Sequence, residues 1–113
     1  MGQPDSPLQP AAFYILLALA RSPSHGYAIM REAIQLSDGG LRMGPATLYT
    51  SIQRLLDQSL VKETDSPEGA DSRRRYYQLT PAGRSALETE LARMESALKK
   101  ARGLRIGKAE ALP

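Results

Sequence analysis

GPATLYTSIQRLLDQSLV, residues 44–61, is the stretch on which the fold turns. Taken as a helix from Pro45, it sets Leu48, Tyr49, Ile52, Leu55 and Leu56 on one apolar stripe at helical period. The opposite face carries Thr47, Thr50, Ser51, Arg54 and Gln58, and is polar but almost uncharged. A solvated face normally holds several Lys and Glu. Short hydroxyls with one amide and one guanidinium suit a helix that must meet base edges and phosphates closely in a major groove. An ordinary amphipathic helix with a bland outer face fits this segment equally well on its own, so the residues around it decide.

Downstream, Leu60–Thr64 reads as a strand and Arg75–Thr80 as its partner. Between them Asp65–Arg74 is polar and rich in turn formers, which makes a hairpin with a long exposed tip. Arg73, Arg74 and Arg75 sit where such a tip would reach a phosphate backbone or minor groove, a task that the planar guanidinium fork suits. The bland alternative is a solvated charge run near Glu68 and Asp71. Thr80-Pro81 then starts a last helix, with Thr80 as N-cap and Pro81 in the first turn, running to about Arg102. Gly103 is the expected stop and the remainder, to Pro113, is expected to fray.

Upstream, a first helix opens at Pro10 and runs to about Arg21, apolar nearly all round through Phe13, Ile15, Leu16, Leu17 and Leu19. Such a helix must be buried on more than one side, and in so small a chain a second subunit is a candidate for the other cover. Ser22-Pro23-Ser24 breaks it. A second helix follows from His25 or Gly26 to Gln35, with Tyr27, Met30, Ala33 and Ile34 inward. Ser37-Asp38-Gly39-Gly40 is a loop, and Leu41-Arg42-Met43 reads as a very short strand. Tyr49 and Tyr77 also fall on inward faces, whereas Tyr76 alternates outward.

The order is three helices, a hairpin and a long helix, so the expected fold is mainly α with a small β-hairpin. It is a winged helix-turn-helix over residues 1–80, with a C-terminal dimerisation helix over 81–102 and a disordered tail over 103–113. The last helix spaces Leu87, Leu91, Met94, Leu98 and Ala101 at intervals of four and three, a short heptad seam with charged flanks. With Phe13, Leu16 and Leu17 of the first helix, this seam is the expected interface of a symmetric dimer, which implies a roughly palindromic site. Packing of the seam against its own domain is the alternative.

The chain has 113 residues and a net charge of +3, with no cysteine, so it holds neither a disulfide frame nor a thiolate metal site. Residues 1–72 carry five Lys/Arg against eight Asp/Glu, while 73–113 carry ten against four. Positive charge is thus gathered at the hairpin and along the last helix. The N-terminus lacks a basic run, and Ala11–Ala20 is too short to span a bilayer, so a soluble cytoplasmic protein without membrane contact is expected. His25 is the one histidine, with no cysteine or clustered carboxylates beside it, which argues against a metal or catalytic role. Gly39-Gly40 is not followed by Gly-Lys-Ser/Thr, and no triad or paired acids appear.

Several elements together resemble the PadR-like transcriptional regulators. They are His25-Gly26-Tyr27-Ala28-Ile29, then Thr47-Leu48-Tyr49 through Ile52, Arg54-Leu55 and Leu60-Val61, then Arg74 through Gly83, in the family's order and spacing over roughly residues 8–102. The resemblance implies a dimeric winged-helix repressor held by its first and last helices. It places Thr47, Tyr49, Thr50 and Arg54 on a helix in the major groove and Arg73 to Arg75 on the wing. With one C-terminal helix the chain looks like the short subfamily. Where the family usually has Glu-Gly before the strand, this chain has Gln58-Ser59, so that helix end is expected to be capped differently. Some members bind planar aromatic ligands between subunits, often with help from Trp. This chain has no Trp there, only Phe13 and Tyr14, which leaves a small-molecule effector open. The reading is a non-enzymatic, cofactor-free, homodimeric repressor of double-stranded DNA. Its rivals are a winged-helix protein-interaction module and a ligand-responsive repressor with a small aromatic effector at the dimer interface.

Overall fold

A nine-residue apolar helix, α1 (Pro10–Ala18), lies at the centre of the computed structural model, which describes residues 7–67 and 74–106. Around it follow β1 (Ser24–His25), α2 (Gly26–Leu36), α3 (Pro45–Asp57), β2 (Val61–Thr64), β3 (Tyr76–Leu79) and α4 (Pro81–Gly103). Ile15 and Leu16 of α1 are fully buried and Phe13 nearly so, because α2, α3 and α4 all pack against it. The second cover that an all-round apolar helix needs therefore comes from its own chain. Phe13 and Leu16, expected at a subunit interface, are core residues instead, and Leu17 is half-buried against the same core. The helix also ends short of Arg21, where the Leu19 N–H is shared between the carbonyls of Ile15 and Leu16.

Helix α2 turns Gly26, Ile29 and Ala33 inward, the i, i+3, i+7 rows of one face. That phase leaves Tyr27 exposed, contrary to the sequence reading, with the Arg31 guanidinium 5.7 Å from its ring centre. Helix α3 buries Leu48, Ile52 and Leu55 as expected. Tyr49 does not join them: it is 52% exposed, and its ring lies across the start of α2. A side chain at residue 26 would collide with that ring, so glycine is the residue that lets the two helices approach here.

Leu41-Arg42-Met43 forms no strand; it is an irregular link that drops Met43 into the core. The third strand is Ser24–His25, giving an antiparallel sheet of order β1-β3-β2, with His25 opposite Tyr76 and Glu63 opposite Tyr77. This explains why Tyr76, expected to face outward, is only 9% exposed. It does point away from Tyr77, but the His25 ring packs edge-on against it at 5.4 Å. Two paired residues are too short a strand to carry a periodic signal.

Helix α4 starts where three elements meet. The Thr80 hydroxyl accepts the Gly83 N–H at 2.9 Å and donates to the Ser59 carbonyl at 2.7 Å, while the Thr80 N–H donates to the Leu60 carbonyl. Gly83 sits so close to that carbonyl that no Cβ fits. One turn on, Leu87 is 3% exposed within the core, so it belongs to this domain and not to an external seam. Glu90 is buried and accepts the Leu8 N–H at 3.2 Å and an Arg93 N–H at 3.3 Å, which ties the N-terminal segment to α4. Beyond it Leu91, Met94 and Leu98 are exposed and Ala101 is half-buried.

Helices α2, α3 and α4 end alike, each with a non-glycine residue in the left-handed region: Asp38, Ser59 and Arg105, at φ 55°, 60° and 61°. At α3 the Ser59 N–H donates to the Leu56 carbonyl and the Leu60 N–H to the Leu55 carbonyl, both at 2.9 Å. Gln58-Ser59 thus terminates the helix with the geometry that a glycine would take without strain. Gly103, the expected stop, is still helical, and Arg105 makes the turn. The expected frayed tail from residue 107 onward lies outside the described residues.

Two stability predictions follow from these contacts. Ser59→Gly relieves a left-handed non-glycine residue and should raise the unfolding free energy by about 1 kcal/mol in urea titration. Gly26→Ala should lower it by up to about 1 kcal/mol, since the Tyr49 hydroxyl it meets is the outer end of a half-exposed side chain that can swing aside. In a Tyr49→Ala background most of that loss should vanish, and additive effects in the double-mutant cycle would contradict the contact.

Candidate nucleic-acid interface

With Leu48, Ile52 and Leu55 inward, the helical period centres the outer face of α3 on Thr50 and Gln53, with Thr47 and Arg54 beside them. All four are exposed. Ser51, expected on this face, is half-buried at a cleft that α4 also lines, and Tyr49 flanks the opposite side against α2. The five sequence-derived residues therefore divide: Thr47, Thr50 and Arg54 share a face, while Ser51 and Tyr49 border it on either side. Gln53 was missed because a glutamine between charged and apolar positions carries no signal; its amide donates to the Asp57 carboxylate at 2.9 Å.

The two ends of α3 differ electrically. Its N-cap is Gly44, with no side-chain cap and no acidic residue in the first turn, and Pro45 follows. The first-turn N–H groups and the positive end of the helix dipole are left without an anionic side chain. Asp57 closes the other end. A polyanion is thus favoured at the end that carries Thr47 and Thr50.

Arg73 lies outside the described residues. Arg74 and Arg75 enter β3 and diverge. Arg75 donates to the Glu63 carboxylate at 3.5 Å, with both groups exposed. Its neighbour Tyr77 has its phenol pushed up by burial and by Glu63, with Arg75 opposing. Arg74 lies on the other side, its guanidinium 3.0 Å from His25 Nε2. Exposed pairs of this kind contribute little to stability and can exchange for a phosphate. Tyr27 and Arg31, exposed on α2, were also missed; the rows that bury Gly26, Ile29 and Ala33 would have revealed them.

Between the N-terminal segment, α3 and α4 runs an open cleft of about 1060 Å³, lined by Leu8, Ala12, Ser51, Arg54, Leu55 and Gln58 on one side and by Ser85, Ala86, Thr89 and Arg93 on the other. Among the described residues no cluster of His, Asp or Glu could hold a metal ion, and no helix is long and apolar enough to cross a membrane.

The model of the PadR-like family of transcriptional regulators matches residues 15–89. The chain is similar to transcriptional regulator Rv3488 of Mycobacterium tuberculosis (strain ATCC 25618 / H37Rv), 36% identical over 91 residues that cover 80% of each protein. It is also 44% identical over 80 residues to an uncharacterized 37.1 kDa protein in transposon TN4556 of Streptomyces fradiae. That match covers 71% of this chain but spans only 21% of the relative's length. Among solved structures, Bordetella bronchiseptica BpsR, whose DNA binding is regulated by 6-hydroxynicotinic acid, superposes with a TM-score of 0.65 at 26% identity, covering 89% of this chain and 70% of that one. With its winged arrangement of helices and hairpin strands, and with the family model spanning α1 through the buried start of α4, the chain belongs to the PadR-like family of transcriptional regulators, which are not enzymes.

Proposed function

We propose that the chain binds duplex DNA sequence-specifically, as a cytoplasmic homodimeric repressor. In this reading the outer face of α3 enters the major groove with Thr47, Thr50 and Arg54, and Arg74 and Arg75 rest on the backbone. One observation carries it: the exposed face of α3 holds the Thr47 and Thr50 hydroxyls toward the end of the helix that no acid caps, with the Arg54 guanidinium on the same face in the last turn. The dimer reading leans on Leu91, Met94 and Leu98, an exposed stripe on a helix of 23 residues whose first turns alone are held by the core. A second reading, in which a small molecule regulates DNA binding, is supported by the cleft, because Ser51 and Arg54 of the reading helix line it. Thermal stabilisation by planar aromatic acids would distinguish that sensor from a constitutive repressor.

Selection from a random duplex library at two salt concentrations should return a palindromic consensus. Arg54→Ala should then lose about 1–3 kcal/mol and blur one base position. Arg74→Ala should weaken all sequences alike and flatten the salt dependence. Weak, unselective retention of duplexes beside a tight protein partner would favour the interaction-module reading. Met94→Glu should shift the sedimenting species from dimer to monomer at micromolar concentration with the fold retained; an unchanged dimer would remove α4 from the interface.

A further inference from the structure

His25 is the chain's one histidine, and its ring meets two hydrogen-bond donors at once. Nδ1 faces the Ala28 N–H at 3.4 Å, as N-cap of α2, and Nε2 faces the Arg74 guanidinium at 3.0 Å. A neutral imidazole has one lone pair and one N–H, and a protonated one has no lone pair, so the ring cannot accept both. The shorter, charge-assisted contact is to Arg74. While it is made, the ring proton sits on Nδ1, aimed at the Ala28 N–H, and the start of α2 goes uncapped. That start is Gly26, the residue on which Tyr49 of α3 rests. Among the described residues, the side chains seen against the ring are the Arg74 guanidinium and the Tyr76 phenol ring, from the entry to β3 and from β3 itself.

We propose that His25 is a positioning residue that couples the wing to the helix pair: a DNA phosphate that draws Arg74 off the ring lets the imidazole move its proton to Nε2 and close the cap on Ala28. The phosphate contact and the setting of α2 beneath Tyr49 are then parts of one event. Proton transfer between the ring nitrogens through water leaves the charge balance unchanged. In the free chain, burial and then the Arg74 cation hold His25 below its ordinary value of 6.5, so at neutral pH the ring is uncharged and its tautomer is the variable. This inference rests on the DNA-binding reading above.

A single histidine makes the test clean. Nitrogen chemical shifts of the imidazole should report the Nδ1–H tautomer in the free protein and the Nε2–H tautomer after addition of a mixed-sequence duplex at low ionic strength. Arg74→Ala, which removes the cation from Nε2, should show the Nε2–H tautomer already in the free protein. His25→Asn keeps a capping acceptor whatever Arg74 does, so its Ala28 amide shift should no longer respond to the duplex, as it should in the parent chain. Duplex binding with no change of tautomer, or an Nδ1–H tautomer that persists in Arg74→Ala, would overturn the relay and leave the DNA-binding reading standing. Failure to retain the duplex would overturn both.

Discussion

Tyr49 resting on Gly26 is the contact that fixes how the two central helices present themselves. The stripe of Leu48, Ile52 and Leu55 holds α3 to the core, yet apolar packing alone would tolerate some rotation of the helix. A ring laid over a residue without a side chain narrows that freedom, because an advance of α2 would first have to push the hydroxyl end of Tyr49 aside. The cost is that a large tyrosine stays half in solvent beside the polar face of α3. Such a placement suits a surface whose neighbour is another macromolecule.

The wing joins the same contact from below. Strand β3 lies between β1 and β2, so the residue that begins α2 also pairs with the strand that leaves the wing. His25 does both: it pairs with Tyr76, and its Nδ1 faces the Ala28 N–H at the start of α2. Arg75, on the other side of β3, reaches Glu63 beside Tyr77. The arginines at the root of the wing are thus held by weak, exposed partners and not left in open solvent. Exposed partners of this kind are weak enough to be exchanged for an arriving anion.

Helix α4 has two characters. Its first turns are part of the domain, through Thr80, Gly83, Leu87 and Glu90, and its later turns carry apolar residues that are exposed among the described residues. Glu90 marks the change. Its buried carboxylate accepts from the backbone of Leu8, which ties the N-terminal segment to the middle of α4 beside the cleft.

The sequence by itself determined the order of the elements, the buried stripe of α3, the capping of α4 by Thr80 and the gathering of arginine before β3, since each rests on local periodicity or local hydrogen bonding. It also carried the family motifs. Tertiary structure alone decided which side of a half-apolar residue faces inward. Tyr27 and Tyr49 came out because α2 and α3 meet at Gly26, and Tyr76 went in because a two-residue strand laid His25 over it. Phe13, Leu16 and Leu87 joined the core because helices distant in sequence pack over them. Ser51 is half-buried at the cleft that α4 also lines. Periodicity reports that a residue has a buried side; only the packing of distant segments fixes which neighbour buries it.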